Sequence, residues 1–181
     1  MNEGNIPLLT FPCFNHEQVK EIKKKIKENI IQEEENSHAA DNVSKIGNFF
    51  VVPCLPLMEL LHPWLYQCQL ENKQNFGYDI FWDFHLEILN YNVYGTEGEY
   101  GWHIDANSRY EYDIKLTCLL NLSEEPYEGG EFYVRGQKEV KIRFDPGMGL
   151  ILHPLVAHKV TPVTKGKRIT LTYWGFGPLW R

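Results

Sequence analysis

Apolar residues in the first third of the chain recur every three or four positions, the spacing that places them on one side of a helix. They are Val19, Ile22, Ile26 and Ile30. Asn15, which precedes them, is a residue type that caps helix N-termini. The pattern predicts a first helix over residues 15–35, and its lysine-rich faces are expected to be solvated rather than to bind a ligand.

The next segment predicts a loop, a strand and a second helix. Residues 36–45 are mostly polar and form the expected loop, which contains His38. The apolar, β-branched run 49–52 predicts a short strand. Pro56 is placed to begin a second helix, and Pro63 either bends that helix or marks its start.

In the remainder of the chain, short strand-like runs alternate with turn signals such as Gly129-Gly130. Many short strands at regular spacing indicate a sandwich or a barrel. The predicted fold is therefore mainly β, a jelly roll braced by N-terminal α-helices. No linker divides the chain, so one domain over residues 1–181 is expected, with helical support over about 1–77 and the jelly-roll core over about 78–181.

The composition agrees with a folded globular chain, because 43% of the 181 residues are hydrophobic and 23% are charged. The net charge of -6 disfavours general nucleic-acid binding, since an acidic surface repels phosphate. The four cysteines are widely spaced and are expected to be buried, reduced thiols. No apolar run is long enough to span a membrane and no secretory signal is recognisable, so a cytoplasmic location is the expectation.

The most informative stretch is E-Y-G-W-H-I-D-A, which contains His103 and Asp105. On a strand, residues two apart point to the same face, so an imidazole and a carboxylate converge on one point. His158 is the best candidate for a third ligand. Two histidines and one carboxylate that leave the other coordination positions open are the arrangement of non-haem iron(II) oxygenases.

Other histidines leave alternatives to this ligand set, and an H-x-D pair alone is also common on surface strands. His153 lies five residues before His158 and competes for the third position. His85 is interpreted as a core or rim histidine, whereas the remaining ones lie in predicted helices or loops. They are His16, His38 and His62.

Arg168 is the reason to prefer His158, which it follows by ten residues. Arginine is a permanently charged, planar partner for a carboxylate such as the distal group of a dicarboxylate co-substrate. Along a strand, Arg168, Thr170, Thr172 and Trp174 share one face. An inward-pointing Arg168 therefore brings the other three inward, although each residue taken alone is more readily explained as structural.

Four runs in the second half of the chain carry a family resemblance. They are Y-G-T-E-G-E-Y-G-W-H-I-D-A, K-L-T-C-L-L-N-L-S, Y-E-G-G-E-F and P-G-M-G-L-I-L-H-P-L-V-A-H-K-V-T-P-V-T-K-G-K-R. In this order they resemble the prolyl 4-hydroxylase-type branch of the iron(II)- and 2-oxoglutarate-dependent dioxygenases, in particular its compact bacterial and viral hydroxylases. The resemblance covers roughly residues 75–177.

The resemblance implies the double-stranded β-helix form of the jelly roll. It implies His103, Asp105 and His158 as iron ligands and Arg168 as the residue that binds 2-oxoglutarate. Tyr94 resembles a tyrosine that lines the co-substrate pocket, although a purely structural role in the core is equally compatible with its position.

Further residues are expected around the co-substrate and the substrate. Leu119 lies on a strand that walls the co-substrate pocket, and Thr172 is placed to add a hydroxyl group. Three aromatic residues give a setting suited to a proline ring on the substrate side: Tyr100, Trp102 and Trp174. Asn121 stands where relatives often have an aromatic residue, which leaves open how the co-substrate carboxylate is bound.

The resemblance implies an enzyme that uses iron(II), 2-oxoglutarate and O2, with ascorbate as a supporting reductant, to form succinate and hydroxylate a C–H bond. Asp105 favours hydroxylation, because related halogenases have Gly or Ala at this position. A prolyl 4-hydroxylase-like activity on a peptide or protein is favoured. The alternatives are a hydroxylase of a free amino acid or another small molecule, and a non-catalytic cupin-like metal-binding module. The substrate and the oligomeric state stay open.

Overall fold

The computed structural model of the protein describes residues 6–34, 43–82, 88–105, 108–109 and 112–180. Two α-helices lie within these ranges, α1 (His16–Lys27) and α2 (Met58–Glu71). A 3-10 turn, Leu55–Leu57, leads into α2, and a π-helical turn, Asn72–Phe76, follows it.

Short strands make up most of the remaining described structure. They are β1 (Leu8–Pro12), β2 (Gln32–Glu34), β3 (Lys45–Ile46), β4 (Asn48–Pro53), β5 (Ile88–Tyr94), β6 (Glu99–His103), β7 (Ser108–Arg109), β8 (Tyr112–Asn121), β9 (Glu128–Gly129), β10 (Phe132–Arg135), β11 (Glu139–Ile142), β12 (Met148–Leu152), β13 (Ala157–Val160), β14 (Val163–Lys165) and β15 (Arg168–Pro178).

These strands form two main sheets in which neighbouring strands are antiparallel. The larger sheet has the order β1-β12-β8-β15-β5-β4-β2, and β7 pairs with β8. The smaller sheet has the order β11-β10-β13-β6-β3, and β14 pairs separately with β9. This arrangement confirms the predicted mainly β, jelly-roll fold with supporting helices.

One face of the larger sheet packs against the helices. Ile22 and Ile26 of α1 and Trp64 of α2 are fully buried there, in one apolar core with Leu171 and Tyr173 of β15. Because side chains alternate along a strand, the intervening residues of β15 point to the opposite face, towards the smaller sheet. The helices therefore stabilise one side of the sheet and leave the other side available for a site.

The first helix is shorter than the apolar spacing predicts. It begins at His16, where Asn15 and Gln18 form a reciprocal capping box with two hydrogen bonds of 3.0 Å. It ends at Lys27, and the chain then forms β2 along β4. The predicted end at residue 35 is wrong, because backbone pairing with a distant strand outweighs the weak helical preference that local spacing reports.

Strands also occur where the sequence pattern predicts a loop or nothing regular. Lys45–Ile46 is strand β3, which pairs with β6, although 36–45 is predicted to be a loop. Residues 36–42 of that segment lie outside the described residues. The predicted strand at 49–52 is part of β4, and α2 continues through Pro63. The first 77 residues thus supply strands to both sheets as well as the helices.

The cysteines are free thiols, in agreement with their wide spacing. Cys54, Cys68 and Cys118 are buried, and Cys13 is half-buried. In the part of the chain that the structure describes, neither helix combines the length and the apolar content needed to cross a bilayer.

Candidate metal and co-substrate site

A cavity of about 70 Å³ lies between the two main sheets. Side chains of β5 and β15 line it from the larger sheet, and side chains of β6, β10 and β13 line it from the smaller sheet. This volume is enough for several water molecules or a small polar ligand. The charged residues in its lining are Lys45, Asp105 and Arg168.

Three potential metal ligands meet at one end of this cavity. His103 of β6 stands directly opposite His158 of β13, with ring centroids 4.1 Å apart. Asp105 follows β6, and its carboxylate oxygens lie 3.8 Å from Nε2 of His103 and 3.6 Å from Nε2 of His158. The three ligand atoms all lie within 4.8 Å of one another, which is the predicted convergence.

Hydrogen bonds to backbone carbonyls orient both imidazole rings so that Nε2 faces the cluster. Nδ1 of His103 is 2.8 Å from the Gly101 carbonyl, and Nδ1 of His158 is 2.9 Å from the Val156 carbonyl. A carbonyl only accepts, so each Nδ1 donates the hydrogen bond and each Nε2 is the nitrogen that faces the cluster. Burial and the neighbouring His158 lower the pKa of His103 to about 4, so its ring is neutral near pH 7.

The carboxylate is fixed by neighbours of its own. The Thr117 hydroxyl of β8 donates a hydrogen bond of 2.7 Å to Oδ2 of Asp105. The backbone N–H of Asp105 donates to the Pro154 carbonyl at 2.9 Å. Contacts of this kind orient a metal-binding carboxylate before the ion arrives.

The competing histidines do not join the cluster in the described structure. Nδ1 of His153 accepts a hydrogen bond from the backbone of Leu155, and its ring packs against Tyr78 and Trp180. His62 stacks on Tyr66 of α2. His16 begins α1, and both His38 and His85 lie outside the described residues.

Arg168 is a buried cation in the same cavity, with 2% of its surface exposed. Among the described residues it makes no ion pair. Its guanidinium forms a hydrogen bond with the Tyr127 side chain and lies 5.4 Å from the ring centroid of Tyr94 and 5.9 Å from that of Phe144. Burial lowers the pKa of Arg168, whereas Tyr94 and Tyr127 oppose this effect. A buried guanidinium without a carboxylate is unfavourable unless an anion binds to it.

Space for this side chain depends on Gly130. Its φ is +60°, a conformation that few side-chain-bearing residues adopt. A Cβ atom there would lie 3.0 Å from Cδ of Arg168 and 2.9 Å from Cγ2 of Val163. The glycine therefore lets the turn before β10 pass close to the arginine.

The donor set fits a divalent ion together with a dicarboxylate. Two imidazoles and one carboxylate suit iron(II) and leave other coordination positions for small ligands. The uncompensated charge of Arg168 suits the far carboxylate of 2-oxoglutarate. The three potential metal ligands and Arg168 line the same cavity.

The sequence profile of the 2OG-Fe(II) oxygenase superfamily matches residues 89–176, a range that contains all four of these residues. This segment, just under half of the chain, therefore matches the 2OG-Fe(II) oxygenase superfamily.

Individual relatives agree with this match. A PKHD-type hydroxylase of Alteromonas mediterranea is 36% identical over 93 residues, which cover 46% of this chain and 41% of that protein. The chain thus spans about two-fifths of the length of the curated relatives that it matches.

Solved structures share the fold. The viral collagen prolyl hydroxylase of Paramecium bursaria Chlorella virus-1 superposes with a TM-score of 0.69 at 15% identity, covering 97% of this chain and 98% of that one. A Trichoplax adhaerens prolyl hydroxylase, solved with a hypoxia inducible factor peptide fragment, gives 0.70 at 19% identity, covering 94% and 83%.

The other predicted co-substrate residues also line the cavity. Tyr94 of β5 pairs with Arg168 across the strands, and burial raises the pKa of Tyr94 to about 12. Leu119 and Thr172 line the same space. The Thr172 hydroxyl accepts a hydrogen bond of 3.0 Å from Asn92.

The three predicted substrate-side aromatics separate into two groups. The Tyr100 ring stacks on His103 with centroids 3.5 Å apart, and Trp174 lines the cavity with a buried Nε1 that has no hydrogen-bond partner among the described residues. Trp102 is not among the residues that line the cavity. Its ring lies under the cations of Arg135 and Lys159, at 4.0 and 4.6 Å.

Asn121, which the resemblance singles out as a departure, also lies outside the cavity lining. It is fully buried, its amide donates to the Phe144 carbonyl at 2.6 Å, and its oxygen accepts from the Ser123 backbone at 3.0 Å. These bonds occupy both of its polar groups, so its role is to hold the end of β8.

Sequence reasoning missed several cavity residues. Asn90 and Asn92 of β5 are buried and face the cavity, and Lys45 of β3 enters it from the smaller sheet. The alternation of Asn with apolar residues in L-N-Y-N-V-Y was a usable signal for the asparagines, because polar residues on one face of a buried strand indicate a lined cavity. Lys45 gave no such signal, because its segment is predicted to be a loop.

Proposed function

We propose that this protein is an iron(II)- and 2-oxoglutarate-dependent hydroxylase. The observation that carries the proposal is that one cavity contains both the three-ligand cluster and a buried arginine without a carboxylate partner in the described structure. The cluster accounts for a metal, and the arginine accounts for an anionic co-substrate. Neither feature is needed for the fold, since each buries polar groups that packing alone would not favour.

Each part of the proposed chemistry has a residue of this chain. Nε2 of His103, Nε2 of His158 and the Asp105 carboxylate would hold iron(II), and Arg168 would hold the distal carboxylate of 2-oxoglutarate. Bound iron, with 2-oxoglutarate and O2, supplies the oxidising power to hydroxylate a C–H bond. Thr117 keeps the carboxylate oriented through its hydrogen bond to Oδ2.

A prolyl group in a peptide or protein is the substrate that we favour. Tyr100 and Trp174 present aromatic surface at the metal end of the cavity, which suits contact with a saturated ring. The names of the relatives support this choice, since a PKHD-type hydroxylase and prolyl hydroxylases are among them. The Trichoplax protein was solved with a peptide fragment, a precedent for peptide binding on this fold.

The test is formation of succinate from 2-oxoglutarate with iron(II), ascorbate and O2, with and without proline-rich peptides. We would compare the wild type with His158→Ala and with His153→Ala, a control that removes a histidine five residues away from the cluster. Succinate from the wild type and the control, but not from His158→Ala, is the expected result.

The alternatives predict different results in the same assay. Stimulation by a peptide supports the peptidyl substrate, whereas stimulation by free amino acids alone shifts the proposal to a small molecule. Iron-loaded wild type that makes no succinate would favour a non-catalytic cupin-like module. Equal activity of His158→Ala and the wild type would remove His158 from the ligand set.

A further inference from the structure

Lys45 is a second cation in the cavity, separate from Arg168. It belongs to β3 and pairs with Tyr100 of β6. Its Nζ lies 4.1 Å from the ring centroid of Phe49 and 5.3 Å from that of Tyr100, and the side chain is half-buried. Because Tyr100 stacks on His103, this ammonium group lies next to the metal end of the cavity.

No carboxylate of the described residues forms an ion pair with Lys45. Glu34 and Asp105 are the acidic groups whose charges act on it, but burial outweighs them and lowers the pKa of Lys45. The aromatic rings of Phe49 and Tyr100 compensate only part of the charge. The ammonium is therefore held at the cavity with incomplete neutralisation.

The charges that line the cavity leave one positive charge in excess, since Lys45 and Arg168 face a single carboxylate, Asp105. Loading the site does not change this balance, because iron(II) and the 2-oxoglutarate dianion carry equal and opposite charges. With iron(II) and 2-oxoglutarate bound, Asp105 would coordinate the metal and Arg168 would bind the distal carboxylate of 2-oxoglutarate. Lys45 is then the cation still available to a further ligand.

We propose that Lys45 binds a carboxylate of the substrate. The inference rests on the proposed function and narrows its substrate class to molecules with an anionic group near the carbon that is hydroxylated. Free amino acids carry such a group, and so do peptides with an acidic residue beside the target. The half-exposed position of Lys45 makes it reachable from outside, unlike the deeply buried Arg168.

The experiment measures binding rather than turnover. Protein loaded with Mn(II) and 2-oxoglutarate under nitrogen is titrated by calorimetry with two matched pairs of probes. The first pair is L-proline and L-prolinamide, and the second is N-acetyl-Pro-Asp-amide and N-acetyl-Pro-Asn-amide. Each pair differs in one carboxylate, and the two pairs separate a free amino acid from an acidic peptide.

The variants are Lys45→Met, which keeps the aliphatic stem on the rings, Lys45→Arg, which keeps the charge, and Lys159→Met. Lys159 is the matched control, because its ammonium also lies over an aromatic ring, that of Trp102, but outside the cavity lining. In the wild type and the control, the acid of at least one pair is expected to bind about tenfold or more tightly than its amide. This preference should disappear in Lys45→Met and be partly restored in Lys45→Arg.

Four outcomes overturn the inference. Two concern the probes in the wild type: it binds acid and amide equally well in both pairs, or it binds none of the four probes. In Lys45→Met, the preference for the acid could persist. Alternatively, this variant could lose as much affinity for 2-oxoglutarate as for the acid, which would assign Lys45 to the co-substrate. Failure of the proposed function is recognised separately, because the wild type would then bind no 2-oxoglutarate with Mn(II) and make no succinate with iron(II).

Discussion

Replacement of Arg168 by methionine is expected to abolish binding of 2-oxoglutarate without destabilising the ligand-free protein. A bidentate contact with a carboxylate comprises two charge-assisted hydrogen bonds, each worth about 1.5–3 kcal/mol. Loss of both corresponds to an affinity at least about 100-fold weaker. Methionine fills a similar volume along the aliphatic part of the arginine, so the surrounding residues keep most of their packing.

The effect on stability has the opposite sign because Arg168 is 2% exposed and has no ion pair in the described part of the chain. Removal of a buried, uncompensated charge relieves a desolvation penalty. The lost contacts with the rings of Tyr94 and Phe144 offset part of that gain, by about 0.5–2 kcal/mol. We therefore expect the free energy of unfolding of the ligand-free variant to be equal to that of the wild type or higher by up to about 2 kcal/mol.

Thermal unfolding with Mn(II) tests both effects in one experiment. At a 2-oxoglutarate concentration of 100 times its Kd, the wild type should gain about 2.7 kcal/mol, or about 5–10 °C in Tm for a chain of this size. Arg168→Met should show no such gain. Arg143→Met is the control, because the Arg143 side chain is 85% exposed and its loss should change stability by less than about 0.5 kcal/mol.

Two results would refute this account of Arg168. A ligand-free Arg168→Met protein that is several degrees less stable than the wild type would show that the arginine supports the fold. A normal increase of Tm with 2-oxoglutarate would show that the co-substrate does not depend on it.

Three further predictions concern groups around the cluster. Asp105→Ala should lose most of its affinity for Mn(II) by calorimetry and make no succinate, and full turnover of an iron-replete variant would remove Asp105 from the ligand set. Thr117→Val deletes the hydroxyl 2.7 Å from Oδ2 of Asp105 and should weaken metal binding about 10–100-fold, an effect that unchanged calorimetric affinity would contradict. Gly130→Ala should lower the unfolding free energy by about 1–2 kcal/mol and weaken 2-oxoglutarate binding, because its Cβ would meet Arg168 at a φ of +60°. Gly95→Ala, where a Cβ meets nothing within 4 Å, should have little effect in denaturant unfolding, and equal losses in both variants would exclude the steric explanation.

Alternation along single strands explains why much of the site could be predicted from the sequence. Arg168, Thr170, Thr172 and Trp174 all line the cavity because β15 is regular over this stretch. His103 and Asp105 converge for a slightly different reason. β6 ends at His103, and Asp105 is held beyond it by the Pro154 carbonyl, so their spacing was informative although only one of them is on the strand.

Strand pairing explains what could not be predicted. The register of β13 on β6 places His158 opposite His103, whereas His153 lies before β13. The spacing to Arg168 favoured His158, but a single sequence does not contain the register itself. The pairing of these strands is irregular. His158 pairs with His103 and Val160 pairs with Tyr100, so an advance of two residues on β13 corresponds to three residues on β6. This bulge places Tyr100 on the cavity side together with His103, although simple alternation would separate them.

The larger sheet divides stability and ligand binding between its two faces. On the helix side, β5 and β15 present buried apolar residues such as Leu89 and Leu171. On the cavity side the same strands bury polar groups, and the hydrogen bond from Asn92 to Thr172 shows how most of these are satisfied within the protein. Two of these groups are exceptions among the described residues: the buried Nε1 of Trp174 has no hydrogen-bond partner, and the charge of Arg168 is not neutralised by a carboxylate. Arg168 is the most deeply buried charge of the cavity, and a dicarboxylate would neutralise it. The free energy that its burial costs on folding is therefore recovered when the co-substrate binds.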